Sequence, residues 1–174
     1  MTSPRVLTLP NLLSFARIPL AAAFVAVHGT DARLALLIAA SLTDLLDGWF
    51  ARMGTTTRFG ALLDPIADKT FVLFALSAYL FAGALSTRDY FIIISRDLAT
   101  AVGFLVAFYL PGLEPADFTA RWAGKALTGL QLASLFVILL RPEWMAWLIW
   151  PVALVSAWTI VDYTAFLARV RRKA

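Results

Sequence analysis

Six long apolar stretches alternate with short polar breaks along the chain, and each approaches the roughly 20 residues a helix needs to cross a bilayer. The first runs from about Asn11 to Val27 and is closed by His28-Gly29-Thr30-Asp31. The second, about Ala32 to Met53, stops at Gly54-Thr55-Thr56-Thr57-Arg58. The third covers Gly60 to about Ala82, and the fourth, about Asp89 to Leu110, is ended by Pro111-Gly112. After a linker rich in Pro, Asp and Glu, the fifth spans Trp122 to Leu140 and Arg141-Pro142-Glu143 turns the chain. The sixth takes Trp144 to about Leu167 and runs into Arg169-Val170-Arg171-Arg172-Lys173. The pattern predicts an all-α polytopic membrane protein: six transmembrane helices in a single domain over residues 1–174, with no internal repeat.

Composition makes the same demand. Of 174 residues, 61% are hydrophobic and 15% charged, against roughly 45–50% and about 25% in a soluble domain. With a mean hydropathy of +0.80, a chain this small carries more apolar surface than it can bury in water. The absence of cysteine excludes a disulfide scaffold and a thiolate site, and a lone His28 excludes a His-rich metal site. A net charge of +4 is compatible with nucleic acid, but the basic residues sort by topology instead, so a membrane is the expected partner and nucleic acid is not. Six spans put both termini on one side, which receives Arg5, Arg52, Arg58, Arg121, Lys125, Arg169, Arg171, Arg172 and Lys173, while the other receives Arg33, Arg88 and Arg141. The positive-inside rule then sets both termini in the cytoplasm. Trp122, Trp144, Trp147 and Trp150 fall near the predicted interfaces, as belt residues or as packing residues. Arg17 interrupts the first apolar stretch and no Arg-rich presequence precedes it, so the expectation is a retained helix in a bacterial inner membrane rather than a cleaved signal.

Ionisable residues inside the spans carry the chemistry. The second and third helices hold Asp44, Asp47, Asp64 and Asp68, and inserting four isolated carboxylates would cost on the order of 10 kcal/mol. Lys69 and Arg52 are too few to neutralise them; divalent cations, which take hard oxygen ligands, are the natural answer. Asp44, Gly48 and Arg52 follow at i, i+4, i+8 on one helix face with Asp47 beside them, and Gly60, Asp64 and Asp68 form the matching column on the next helix. Across a short antiparallel turn, Arg52 stands level with Gly60, Gly48 with Asp64 and Asp44 with Asp68. Four carboxylates balance two divalent ions, a known clamp for phosphoryl chemistry. The glycines leave room for a ligand to approach the backbone, and Arg52 can pair with phosphate oxygens. The rival reading is a small cation transporter, which needs the acids but not Gly48, Ala51 and Arg52 beside them.

The segment Asp44-Leu45-Leu46-Asp47-Gly48-Trp49-Phe50-Ala51-Arg52, followed after seven residues by Gly60-Ala61-Leu62-Leu63-Asp64-Pro65-Ile66-Ala67-Asp68, resembles the signature of the CDP-alcohol phosphatidyltransferases at all of its fixed positions. The resemblance implies transfer of a phosphatidyl group from CDP-diacylglycerol to an alcohol, release of CMP, and Mg²⁺ or Mn²⁺ as a pair of ions. It assigns the metals to Asp44, Asp47, Asp64 and Asp68, general base catalysis to Asp68, and the cytidine diphosphate to Gly48, Ala51, Arg52 and Gly60. It further implies a cytoplasmic active site and a homodimer.

Two other stretches bear on the acceptor. Leu9-Pro10-Asn11-Leu12-Leu13-Ser14-Phe15-Ala16-Arg17 resembles the opening of the phosphatidylglycerolphosphate synthase and cardiolipin synthase branches, which places Asn11 and Ser14 with CDP-diacylglycerol and Arg17 with the acceptor. Gly124-Lys125-Ala126-Leu127-Thr128-Gly129-Leu130-Gln131 is similar to their Gly-Lys-x-x-Thr-x-x-Gln element and adds Lys125 to the acceptor site; Thr128 and Gln131 are binding residues or interhelical hydrogen bonds. Ser95-Arg96-Asp97 resembles the cardiolipin synthases, whereas glycerol-phosphate acceptors usually meet a second arginine where this chain has Phe104. A dianionic glycerol 3-phosphate wants more than one fixed cation. Arg96 facing a diester headgroup, with apolar Phe104 nearby, favours phosphatidylglycerol as acceptor and cardiolipin as product. Glycerol 3-phosphate is the alternative, and a structural pairing of Arg96 with Asp97 is open too.

Overall fold

The computed structural model describes residues 8–52, 58–109 and 122–171. Within them run six α-helices: α1 (Leu9–Ala26), α2 (Thr30–Arg52), α3 (Arg58–Phe81), α4 (Thr87–Tyr109), α5 (Trp122–Leu140) and α6 (Met145–Arg171), with one 3₁₀ turn over Pro142–Trp144. No strand occurs among the described residues. The helices fall where the apolar stretches predict them, with ends shifted by a few residues.

Two of those shifts have local causes. The third stretch ends at Gly83, whose φ of 72° is the left-handed conformation glycine adopts without steric cost. The Gly83 N–H donates to the Leu80 carbonyl at 3.0 Å and the Ala84 N–H to that of Tyr79 at 2.9 Å, a Schellman termination. Three residues later Ser86 begins α4 early: its hydroxyl accepts the Asp89 N–H at 3.1 Å, the bond of an N-cap serine.

By contacts the chain divides into two units, one of residues 1–85 and 135–142, the other of residues 86–134 and 143–174. In the first, α1 packs along both α3 and α2. Phe24 meets Phe71 and Tyr79 edge-on, with ring centroids 6.0 and 5.5 Å away. The Arg33 guanidinium sits 5.3 Å from the Phe24 centroid and 5.5 Å from that of Tyr79, a cation held by two ring faces. Its Nε donates to the Val27 carbonyl at 2.8 Å, satisfying a group just past the end of α1. The Tyr79 hydroxyl donates to the Leu135 carbonyl at 3.2 Å.

In the second unit α4 packs against α6. Gln131 is fully buried, and its Nε2 donates both to the Ile93 carbonyl at 2.9 Å and to Asp97 Oδ2 at 2.6 Å. The α5 side chain thereby reads two groups on α4, as interhelical polar residues do in apolar surroundings.

Beside an apolar core, several polar side chains are buried and several large apolar ones are exposed. Asn11, Ser14, Arg17, Arg96 and Gln131 are buried, while Leu12, Phe15, Ile18 and Val25 of α1 are exposed. Along α6, Trp147, Trp150, Leu154, Trp158 and Val161 make one exposed stripe. The segment Pro142–Asp162 is long and apolar enough to cross a membrane. Helices α2, α3 and α4, of 23, 24 and 23 residues, reach about 35 Å at 1.5 Å per residue.

Candidate functional site

On α1 and α3 the packed face runs from apolar to polar positions, while on α2 it carries Arg33 at the start of the helix as well. On α1 the buried positions are Phe24 and Ala21, then Arg17, Ser14 and Asn11. On α2 the buried positions are Arg33, Leu37 and Ala40, and the same register continues to Asp44, which is exposed, and to Gly48. On α3 the packed face descends from Ala78, Ala75 and Phe71 to Asp68, with Asp64 one turn earlier. The spacings of three and four residues keep each series on one face.

Two contacts show which ends meet. The apolar end of α1 touches the apolar end of α3 through Phe24 with Phe71 and Tyr79. Its polar part touches α2 through Arg17, whose Nη1 lies 3.4 Å from Asp44 Oδ1. Arg17 Nε also donates to Thr43 Oγ1 at 3.4 Å. Arg17 is 2% exposed and Asp44 52%, so the packed face of α2 opens to the outside at the first motif acid. Asp68 is half-buried.

The remaining predicted residues divide between the described and the undescribed. Asp47, Gly48, Ala51, Arg52, Gly60, Asp64 and Lys125 have helical backbone, but their side chains lie outside the described residues, as does that of Phe104. Among the described residues no group of three or more metal-binding side chains gathers; two of the four acids are not among them. The donors that are described fit hard divalent ions: Asp44 offers a half-exposed carboxylate of which Arg17 engages one oxygen, and oxygen is the ligand such ions take.

In the second unit, Arg96 is buried and its Nη1 lies 3.3 Å from Asp97 Oδ1. Its Nε has no hydrogen-bond partner among the described residues. Asp97 is also the acceptor for Gln131. Arg96 therefore carries a neutralising neighbour as well as one uncommitted donor, and Gln131 is an interhelical tie. Sequence reasoning singles out Arg96 and Gln131 but does not connect them through Asp97. The signal is a glutamine in an apolar helix, whose partner only the pairing of α4 with α5 resolves. Thr43 escapes sequence reasoning altogether; an arginine in an apolar stretch calls for partners on a neighbouring helix, but nothing in the sequence says which.

Comparison with known proteins gives the chemistry a context. A family model described as CDP-alcohol phosphatidyltransferase matches residues 7–158. The chain is 38% identical over 103 residues to the CDP-diacylglycerol–glycerol-3-phosphate 3-phosphatidyltransferase of Aquifex aeolicus, covering 56% of this chain and 58% of that protein. It is 33% identical over 133 residues to a Mycobacterium bovis protein provisionally assigned as a cardiolipin synthase, covering 74% and 62%. It is 34% identical over 146 residues to a Mycobacterium tuberculosis protein provisionally assigned as a phosphatidylglycerophosphate synthase, covering 78% and 68%. The match thus spans about three fifths of the length of the first two relatives.

Proposed function

The chain belongs to the CDP-alcohol phosphatidyltransferase family, and from that premise we propose that it transfers the phosphatidyl group of CDP-diacylglycerol to an alcohol and releases CMP. The observation that carries this reading is the contact of α1 with α2 through Arg17 and Asp44, at the level where the helical register of α2 and α3 brings in the motif acids. A cation transporter would need the acids alone; here the complete motif accompanies them.

In this mechanism Asp44, Asp47, Asp64 and Asp68 hold the metals. Two divalent ions, when bound, supply polarisation of the pyrophosphate and neutralisation of the departing charge. Gly48 and Gly60, lacking side chains, leave space for the cytidine diphosphate beside Ala51, and Arg52 pairs with its phosphate oxygens. Asn11 and Ser14 complete the donor-lipid site from α1. Asp68 accepts the proton of the acceptor hydroxyl. The acceptor oxygen then bonds to the phosphorus that carries diacylglycerol, and the bond from that phosphorus to the CMP oxygen breaks.

For the acceptor, phosphatidylglycerol is the first reading, with cardiolipin as product. Its support is the Arg96–Asp97 pair: a guanidinium already facing a carboxylate at 3.3 Å retains little net charge for a dianion, and a diester headgroup asks for less. Glycerol 3-phosphate is the second reading, favoured by the name of the Aquifex aeolicus relative. Purified protein given CDP-diacylglycerol and Mn²⁺ with each acceptor in parallel is expected to form product with phosphatidylglycerol and little with glycerol 3-phosphate. The reverse outcome would overturn the argument from Arg96 and Phe104.

The exposed apolar faces of α1 and α6 support a membrane-embedded protein. Six crossings with both termini cytoplasmic, in a bacterial inner membrane, put the motif at the cytoplasmic side, where the nucleotide is. A homodimer is the assembly the family resemblance implies.

A further inference from the structure

We infer that Arg17 is a positioning residue for the metal centre: it grips one oxygen of Asp44 and leaves the other aimed at the ions. The inference rests on the phosphatidyl-transfer reading and gives Arg17 a task there different from acceptor binding. A guanidinium buried to 2% exposure must be paired, since an uncompensated buried charge is strongly unfavourable. Its Nη1 reaches Asp44 Oδ1 at 3.4 Å, and its Nε reaches Thr43 Oγ1 at the same distance.

The Thr43 hydroxyl gives its own proton to the Ala40 carbonyl at 2.7 Å. It is thereby fixed as an acceptor towards Arg17, and the planar guanidinium spans two neighbouring residues of α2. Such a fork sets orientation as well as charge. Asp44, 52% exposed, has an inner side tied to α1 and an outer side open to the site. Outer partners of this kind orient metal-ligating carboxylates, and their removal typically lowers metal affinity about 10–100-fold. The positive charge of Arg17 opposes bound cations, and Arg17→Lys, which keeps that charge but loses the fork, separates this effect from orientation.

The test is Mn²⁺ binding to the purified full chain in detergent, without lipid substrate, read from the electron paramagnetic resonance signal of free Mn²⁺. Arg17→Gln is expected to raise the Kd about 10–100-fold, with Arg17→Lys between it and the wild type because it keeps the charge and loses the fork. At saturating Mn²⁺ the acceptor KM of both variants is expected to stay at the wild-type value. Unchanged or tighter Mn²⁺ binding by Arg17→Gln overturns the inference. So does a raised acceptor KM with Mn²⁺ affinity unmoved, which would return Arg17 to the acceptor site. Should Arg17→Gln fail to fold, Arg17→Lys decides: weakened binding supports the role and wild-type affinity overturns it. A wild-type protein that binds no Mn²⁺ sinks the metal-centre reading together with the inference, an outcome distinct from a wild type that binds and a variant that matches it.

Discussion

Asp68→Asn is expected to stop turnover while leaving the fold in place. The substitution preserves shape and volume and removes both the negative charge and the basic oxygen. General base catalysis alone contributes about 10²–10⁴-fold, and Asp68 is also one of four proposed ligands, so the loss should lie at or beyond the upper end of that range. Asp68 is half-buried in the first half of α3, on the register that continues the packed face of Phe71 and Ala75. An uncharged amide there relieves part of the cost of placing a carboxylate in apolar surroundings, so thermal stability should be retained. CMP release and a melting curve on the same preparation check both halves. Wild-type turnover in this variant would remove the base assignment.

Removing divalent ions is expected to be as severe. The departing CMP carries charge that Arg52 alone cannot neutralise, and the metals supply several kcal/mol of stabilisation to such a transition state. At about 1.36 kcal/mol per tenfold in rate, chelation should cut CMP release by two or more orders of magnitude. Adding Mn²⁺ or Mg²⁺ back should restore it. Activity that persists through exhaustive chelation would show that the four aspartates serve something other than a metal pair.

Much of the fold is legible in the sequence because apolar stretches between polar breaks have few alternatives to helices. Boundaries are less legible where a single hydrogen bond decides them, as Ser86 does for α4 and Gly83 for α3. The candidate site is legible through charge: four acids in apolar helices are costly enough to demand a compensating partner on that ground alone. What the sequence conceals is tertiary pairing. Arg17 and Asp44 stand 27 positions apart, and only the packing of α1 along α2 shows that an arginine grouped with the acceptor meets a motif acid. Gln131 and Asp97 are 34 apart, and their bond depends on which face of α5 meets α4. Arg33 looks like a topological marker until its guanidinium is found against the paired rings of Phe24 and Tyr79.

The most direct measurement follows CMP from purified protein supplied with CDP-diacylglycerol and Mn²⁺, with and without phosphatidylglycerol or glycerol 3-phosphate. The account predicts CMP only when an acceptor is present, in equal amount with a new phospholipid. No CMP with either acceptor, or CMP formed equally without one, would contradict it.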